Sequence, residues 1–294
     1  MLRAHTWYSA VQLRSRGASD YALEKRFSEA PRSDGQPWIS TGNWRAYRRG
    51  RVPERSLVDR VELDFPGTRV WLDLLFWESI RLPAPDFERI YSLLAHVRAD
   101  IADLLFVRAG FDKARLERRP RTVETFQELD RKSDIESLTA CIGLIREAEF
   151  LGNKAQHFQG VSTAVRIFLR LAASWPLAET APAILEYLTG CVFNTTYEHV
   201  PRPGPAGSGI PLSVQIRWRN SVVILLEDFE VLTTDHARKR ACLYLADVYG
   251  LGRAVKELEA INRTADWRVV KSARVVRWFA RRLRLFKFTE SCLD

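Results

Sequence analysis

The sequence predicts a mainly α-helical protein, divided into a basic N-terminal module and a larger helical body. Apolar residues recur at intervals of three and four along most of the chain, and strict alternation of apolar and polar residues is scarce. With 294 residues, 46% of them hydrophobic, the chain is long enough to bury a substantial core. Its clearest boundary is the segment Leu82-Pro83-Ala84-Pro85. We therefore predict a module over residues 1–82 and a multi-helix bundle or solenoid-like body over residues 83–294.

Within the module, helical segments alternate with helix-breaking residues. A short helix is predicted over residues 21–29, and the prolines and glycine of residues 31–39 predict a loop. An arginine-rich helix is predicted from Ser40 to Arg49. Pro53 is expected to open the next helix, because proline is tolerated in a first helical turn. Residues 69–80 then predict one continuous helix that is rich in aromatic side chains.

The body shows long segments with helical periodicity, which indicate stacked or bundled helices. They cover residues 87–106, 123–150, 161–175, 183–193, 222–232 and 238–249. The segment Pro201 to Pro211 is rich in proline and glycine and predicts a linker or a long surface loop.

The charge of the chain is positive, and it is concentrated at the two ends. The net charge is +9, the isoelectric point is near 9.6, and arginines outnumber lysines by 37 to 8. Residues 1–82 carry a net charge of +4 and residues 217–294 carry +6, whereas residues 121–216 carry −2. Such a balance favours a nucleic acid, an acidic lipid surface or an acidic protein as partner. A GC-rich coding bias is the alternative explanation of the arginine excess.

Several classes of protein are disfavoured by what the sequence lacks. No apolar run is long enough to span a membrane, and charges interrupt the N-terminus where a signal peptide needs its apolar stretch. The four cysteines lie far apart without a CxxC pair, which favours reduced thiols and offers no framework for a metal. We therefore expect a cytoplasmic protein without a cofactor and without a membrane partner.

The arginine-rich helix has two distinct faces. At 100° per residue, Trp44 and Tyr47 share one face, and Arg45 and Arg49 lie on the opposite face. In the next helix an apolar stripe faces inward, so the two helices are expected to close a small core and leave the arginines pointing outward. The stripe consists of Leu57, Val58, Val61 and Phe65.

The segment from Ser40 to Gly67 resembles the third and fourth helices of the lambda-repressor-like helix-turn-helix family. The resemblance is carried by the aromatic residue Trp44, the glycine Gly50 and the proline Pro53. It implies that the arginine-rich helix is a recognition helix in the major groove of DNA. The chain departs from the family upstream, where residues 31–39 replace a tight turn.

The same resemblance implies roles for individual side chains. By position, Asn43, Arg45 and Arg49 would contact base edges, because arginine pairs with guanine and asparagine with adenine. Phosphate contacts would come from Arg48, Arg51 and Arg55. The alternative is an arginine-rich helix that is merely solvated and is anchored by its aromatic residues.

A second basic helix is predicted near the C-terminus. Residues 267–288 contain eight positive charges and no acidic residue. One face is basic and the other apolar, which suits a phosphate backbone, an anionic lipid surface, an acidic groove of a partner protein, or a final core helix with a solvated face. The basic face consists of Lys271, Arg274, Arg277, Arg281 and Arg284.

Signs of enzyme chemistry are weak. The five histidines show no metal-binding spacing, and neither an HExxH nor a GxSxG motif is present. Arg89 and His96 have a spacing that resembles the active-site motif of helical HEPN ribonucleases, but packing or surface placement also accounts for both. We expect a protein that is not an enzyme.

Two functional hypotheses follow. The first is a non-enzymatic nucleic-acid-binding protein, either a DNA-binding regulator or a DNA-engaging subunit of a larger bacterial system, with double-stranded DNA as the expected partner. The second is a protein-interaction or scaffold subunit that docks a catalytic partner through its helical body. The sequence specifies neither the oligomeric state nor the target.

Overall fold

A computed structural model describes residues 1–27, 41–82, 86–109, 115–172 and 176–193. These residues are mainly helical, which confirms the predicted fold class. In chain order the helices are α1 (Leu2–Arg14), α2 (Asp20–Phe27), α3 (Asn43–Arg48), α4 (Arg55–Asp64), α5 (Val70–Asp73), α6 (Phe76–Ser79), α7 (Phe87–His96), α8 (Ala99–Leu105), α9 (Val123–Lys132), α10 (Ile135–Phe150), α11 (Lys154–Leu171) and α12 (Leu177–Leu188), with a π-helical turn at Thr189–Phe193.

The apolar side chains form two clusters. The N-terminal cluster joins α1 to α5 and contains the predicted small core of Trp44, Tyr47, Leu57, Val58 and Val61, with Phe65 partly buried against it. Its other members are Trp7, Tyr8, Val11, Leu23, Phe27 and Leu72. The main core begins at Phe76 and extends to Phe193. The division between the two clusters therefore falls shortly before the predicted boundary at Leu82.

Helix α10 is the centre of the main core. Every residue from Ser137 to Ala148 is buried, because α6, α7, α9 and α11 all pack against it. Its N-terminus is capped by Asp134, whose carboxylate accepts a hydrogen bond from the Ser137 backbone N–H at 2.8 Å. Two glycines allow close packing: a Cβ at Gly143 would lie 2.6 Å from Leu94 of α7, and one at Gly160 would lie 2.8 Å from Ile145.

Helix α1, which the sequence analysis did not assign, contacts both clusters. On one side Trp7 is fully buried and stacks on Trp44, with 5.8 Å between ring centroids. On the other side Thr6 and Thr180 share a hydrogen bond of 3.0 Å, and the Ser9 hydroxyl donates to Glu179 at 2.8 Å. These contacts attach α1 to α12, far along the chain.

Three helices that were predicted as continuous are interrupted. Residues 69–80 leave the helix at Leu74, whose backbone is extended, and the indole N–H of Trp77 donates to the Trp71 carbonyl at 2.8 Å. Residues 87–106 break at Val97 between α7 and α8, and residues 123–150 break at Ser133, which has a positive φ of 51°. At the first break the Trp77 indole thus satisfies a carbonyl group of the preceding helix.

The structure also contains elements that the sequence did not predict. Strands β1 (Phe106–Ala109) and β2 (Arg115–Arg118) form an antiparallel pair, in which Phe106 is opposite Arg118. Helix α11 begins at Lys154, seven residues before the predicted start at Val161. Within the residues described, no helix is long and apolar enough to cross a membrane.

Candidate nucleic-acid interface

Helix α3 is a short platform that is fixed by two aromatic side chains. It spans Asn43–Arg48, so it begins later than the predicted start at Ser40, which lies outside the described residues. Trp44 is 2% exposed and packs against Phe27 and Trp7, and Tyr47 meets Trp44 edge-on at 5.9 Å. Burial of these two residues directs the remaining side chains of α3 toward solvent.

The N-terminus of α3 is held by the buried carboxylate of Glu24. This residue of α2 accepts hydrogen bonds from the backbone N–H groups of Thr41 at 2.8 Å and Asn43 at 3.2 Å, and from the Thr41 hydroxyl. A carboxylate at a helix N-terminus satisfies otherwise unpaired backbone donors and interacts favourably with the helix dipole. Glu24 therefore links α2 to α3, although residues 28–40 separate the two helices in the chain.

The C-terminal end of α3 turns sharply at Gly50, which has a φ of +96°. Its N–H donates to the Tyr47 carbonyl at 2.8 Å, and Met1 packs directly against its α-carbon, so that a Cβ would lie 2.8 Å from the Met1 carbonyl oxygen. Helix α4 then begins at Arg55, two residues after Pro53, the predicted start. The turn brings the arginines of residues 48–55 next to those of α3.

The five predicted arginines all lie on the surface. We call them the arginine face; they are Arg45, Arg48, Arg49, Arg51 and Arg55. Among the described residues, Arg45, Arg48, Arg49 and Arg55 have no carboxylate within salt-bridge distance and make no side-chain hydrogen bond. Each guanidinium therefore keeps all five of its N–H donors available to a ligand.

Three carboxylates of α4 are engaged by groups outside the arginine face. In α4, Asp59 pairs with Arg69 at 2.8 Å, and Asp64 pairs with Arg26 at 2.8 Å. Glu62 accepts backbone hydrogen bonds from Gly67 and Arg69 at 2.6 and 2.7 Å. Although burial raises the pKa of Glu62, these hydrogen bonds together lower it below its usual range. These three acidic residues of α4 therefore do not neutralise the arginine face, whereas the exposed Glu54, between Arg51 and Arg55 in the chain, adds one negative charge beside it.

The arginines of the main core are paired, in contrast to the arginine face. Arg118 and Arg121 both pair with the buried Glu147, Arg146 pairs with Glu149 at 2.9 Å, and Asp130 holds two arginines of α11. Burial lowers the pKa of Arg121, with Glu147 opposing this shift and the charge of Arg118 adding to it. The arginines around Glu147, Glu149 and Asp130 therefore form ion pairs, whereas those of the arginine face are solvated.

The side chain of Asn43, which is predicted to contact a base, is only partly available to DNA. Its side-chain oxygen accepts a hydrogen bond from an Nη1 donor of Arg51 at 3.2 Å. Recognition of adenine through both polar atoms of the Asn43 amide requires that this bond open. Arg45 and Arg49 are exposed without such a bond.

The other candidate residues from the sequence do not belong to the arginine face. Lys271, Arg274, Arg277, Arg281 and Arg284 lie outside the described residues. Arg89 lies in the first turn of α7 and lines a pocket, whereas His96 ends that helix on the surface, with its Nδ1 2.7 Å from the Ser92 carbonyl. In the described part of the chain, no group of three His, Cys, Asp or Glu side chains is placed to hold a metal ion.

Sequence inspection missed two residues that position α3, Glu24 and Trp7. Trp7, Tyr8 and Val11 do have helical spacing, so α1 was recognisable as an amphipathic segment. No local signal identified Glu24, because a charged residue on a short helix is ordinarily solvated. Comparisons with protein-family models, curated proteins and solved structures find no match to this chain.

Proposed function

We propose that this protein binds nucleic acid, with double-stranded DNA as the ligand, through the arginine face. The observation that carries the proposal is the exposure of four unpaired arginines on one anchored platform, in contrast to the arginines that pair with Glu147, Glu149 and Asp130 in the main core. Guanidinium groups match the geometry of phosphate oxygens and of the guanine edge. In this proposal the protein is a regulator or a DNA-engaging subunit and catalyses no reaction.

The mechanism assigns separate tasks to the arginines. Arg48, Arg51 and Arg55, on the end of α3 and the start of α4, neutralise phosphates and fix the orientation of the module. Arg45 and Arg49 then contact base edges in the major groove. Because Trp44 and Tyr47 hold α3 in the N-terminal cluster, the backbone of α3 is already ordered before the arginine face meets the duplex.

The first test is the salt dependence of binding to duplex DNA, measured by fluorescence anisotropy with the full chain. Each neutralised phosphate releases counterions, so the three phosphate-facing arginines predict a loss of affinity of roughly 40-fold between about 50 and 200 mM salt. A duplex RNA of the same sequence is the second ligand. Preference for RNA would contradict the assignment of DNA.

The second test reverses two charges on the arginine face. In the double variant Arg45→Glu/Arg49→Glu, we expect DNA binding to be abolished while the far-UV circular dichroism spectrum stays unchanged, because both side chains are exposed. The matched control is Arg131→Glu/Lys154→Glu, which changes the net charge equally at exposed sites on α9 and α11. Equal losses in the two double variants would show a nonspecific charge effect and contradict the proposed interface.

A second candidate function is docking of a protein partner by the helical body. It is favoured by large apolar side chains that remain exposed around the turn between α10 and α11, namely Phe150, Leu151 and Phe158. If the wild type does not bind DNA even at low salt but co-purifies with a catalytic protein, and Phe158→Asp abolishes that association, this function replaces the first.

A further inference from the structure

A second group of unpaired arginines surrounds a pocket formed by α1, α5, α6 and α7. The pocket has a volume of about 370 Å³ and shares no residue with the arginine face. Arg3 comes from α1, Arg81 follows α6, and Arg89 lies in α7. The remaining lining is apolar apart from two carboxylates and consists of Leu72, Asp73, Leu74, Leu75, Trp77, Glu78 and Leu82.

The three arginines have no protein partner in the described structure. The Nε atom of Arg3 is buried and makes no hydrogen bond. Arg81 and Arg89 are exposed, and neither side chain forms an ion pair or a hydrogen bond with a described residue. A buried donor without an acceptor is costly, so a ligand that supplies anionic oxygens here would gain several charge-assisted hydrogen bonds.

The two carboxylates of the lining differ in their availability. Asp73 already accepts a hydrogen bond from Arg69 Nε at 3.1 Å, although Arg69 also pairs with Asp59 at 2.8 Å. Glu78 is exposed and has no side-chain partner among the described residues. The pocket therefore combines an excess of positive charge with one acceptor that is free to receive hydrogen bonds from hydroxyl or amino groups.

The apolar lining indicates that a ligand of this pocket also carries an apolar group. Leu72, Leu74, Leu75 and Leu82 contribute aliphatic surface, and Trp77 is fixed by its hydrogen bond to the Trp71 carbonyl. A bare phosphate ion would leave this surface and Glu78 without contacts. The volume of about 370 Å³ falls in the range of roughly 300–1,000 Å³ that is usual for small-molecule sites.

We infer that this pocket binds a nucleoside monophosphate. The phosphate is held by Arg3, Arg81 and Arg89, Glu78 accepts hydrogen bonds from hydroxyl or amino groups of the nucleoside, and the leucines contact the base. The inference does not depend on the arginine face, because the two sites have no residue in common.

Isothermal titration calorimetry of the full chain tests the inference, with adenosine and guanosine 5′-monophosphates, the matching nucleosides and inorganic phosphate as separate probes. We expect at least one nucleotide to bind at least about tenfold more tightly than its nucleoside and than inorganic phosphate, because charged hydrogen bonds to the phosphate and apolar contacts to the base both contribute. No binding of either nucleotide at millimolar concentration, or equal affinity for a nucleotide and its nucleoside or inorganic phosphate, would overturn the inference.

Two variants locate the site. Arg81→Gln/Arg89→Gln should weaken nucleotide binding at least about tenfold and leave binding of the nucleoside unchanged, since only the phosphate contacts are removed. The control Arg60→Gln removes an exposed arginine of α4 that does not line the pocket, and it should bind the nucleotide as the wild type does. Unchanged nucleotide binding in the double variant would overturn the inference. Duplex DNA binding by the same double variant is measured in parallel, so that failure of one proposal is distinguishable from failure of the other.

Discussion

At the scale of single residues, the buried carboxylate of Glu24 determines where α3 begins. It accepts hydrogen bonds from the backbone N–H groups of Thr41 and Asn43, which have no carbonyl acceptor inside α3. Gly42, between them, has a φ of +70° and reverses the chain into the helix. One acidic side chain of α2 thus orients the helix that carries the positive side chains.

Gly50 has an equivalent role at the opposite end of α3. Its positive φ and the close approach of Met1 both exclude a side chain. We expect Gly50→Ala to lower the free energy of unfolding by roughly 2–5 kcal/mol, since backbone strain in the left-handed region costs about 1–2 kcal/mol and overpacking adds about 1–3 kcal/mol. Urea unfolding at neutral pH measures this change.

The control for Gly50→Ala is Gly42→Ala. Gly42 also has a positive φ, but a Cβ there would meet no atom within 4 Å. The Gly42→Ala variant should therefore lose only the free energy that corresponds to backbone strain. Equal destabilisation by the two variants would mean that Met1 does not pack against Gly50.

The side chains of the small core were predictable because they are local. Trp44, Tyr47, Leu57, Val58 and Val61 lie within two adjacent helices, so their common face follows from helical periodicity. The tryptophan that completes the cluster, Trp7, comes from a helix that was not assigned, and Glu24 acts across residues that the sequence suggested only as a loop. The pocket draws its arginines from three separate segments, and no local pattern in the sequence joins them.

At the scale of elements, α10 is stabilised by its cap as well as by burial. Asp134 accepts hydrogen bonds from the backbone N–H and hydroxyl of Ser137, both at 2.8 Å, and pairs with Arg98 at 2.7 Å. Although burial raises the pKa of Asp134, these contacts together lower it below its usual value of 3.8. The charged cap therefore stabilises the protein above about pH 4 and is lost as the pH falls through the lowered pKa.

Replacement of this cap separates its hydrogen bonds from its charge. We expect Asp134→Ala to lower the free energy of unfolding by about 1–2 kcal/mol at pH 7, and Asp134→Asn to cost less because asparagine is also a good N-cap. Chemical unfolding at pH 7 and at pH 3 measures both. The difference between the wild type and Asp134→Asn should shrink at pH 3; a difference independent of pH would show that the carboxylate charge contributes nothing.

The helix ends that the sequence did not predict differ in how clearly the residues mark them. At Ser133 and Asp134 a signal was present, since serine and aspartate at this position are typical of a helix N-terminus. At Leu74 and Val97 neither glycine nor proline marks the break. There the chain turns because contacts from elsewhere in the fold compensate for the lost helical hydrogen bonds, such as the one that Trp77 donates to Trp71.

At the scale of the whole molecule, α1 joins the two clusters. Its contact with α12 includes a hydrogen bond between the buried hydroxyls of Thr6 and Thr180. Each hydroxyl also lies within hydrogen-bond distance of a carbonyl in its own helix, that of Leu2 at 3.1 Å and that of Leu177 at 3.3 Å. Both threonines therefore contribute to one buried polar network between the ends of the described chain.

A double-mutant cycle measures the strength of this connection. We expect Thr6→Val and Thr180→Val each to lower the free energy of unfolding by about 1 kcal/mol, and the double variant to lose less than the sum by roughly 0.5–1.5 kcal/mol. Urea unfolding of the four proteins gives the coupling energy. Strict additivity would mean that the two hydroxyls do not interact.

The pairing of α1 with α12 also dictates an order of events during synthesis. The N-terminal cluster has all its residues once Leu72 has left the ribosome, but the other face of α1 waits for Thr180. At a translation rate of roughly 5–20 residues per second, that interval lasts about 5–20 s. During this time Thr6 and Ser9 lack the partners that Thr180 and Glu179 later supply. The N-terminal module thus acquires its support from α12 only after most of the described chain has been made.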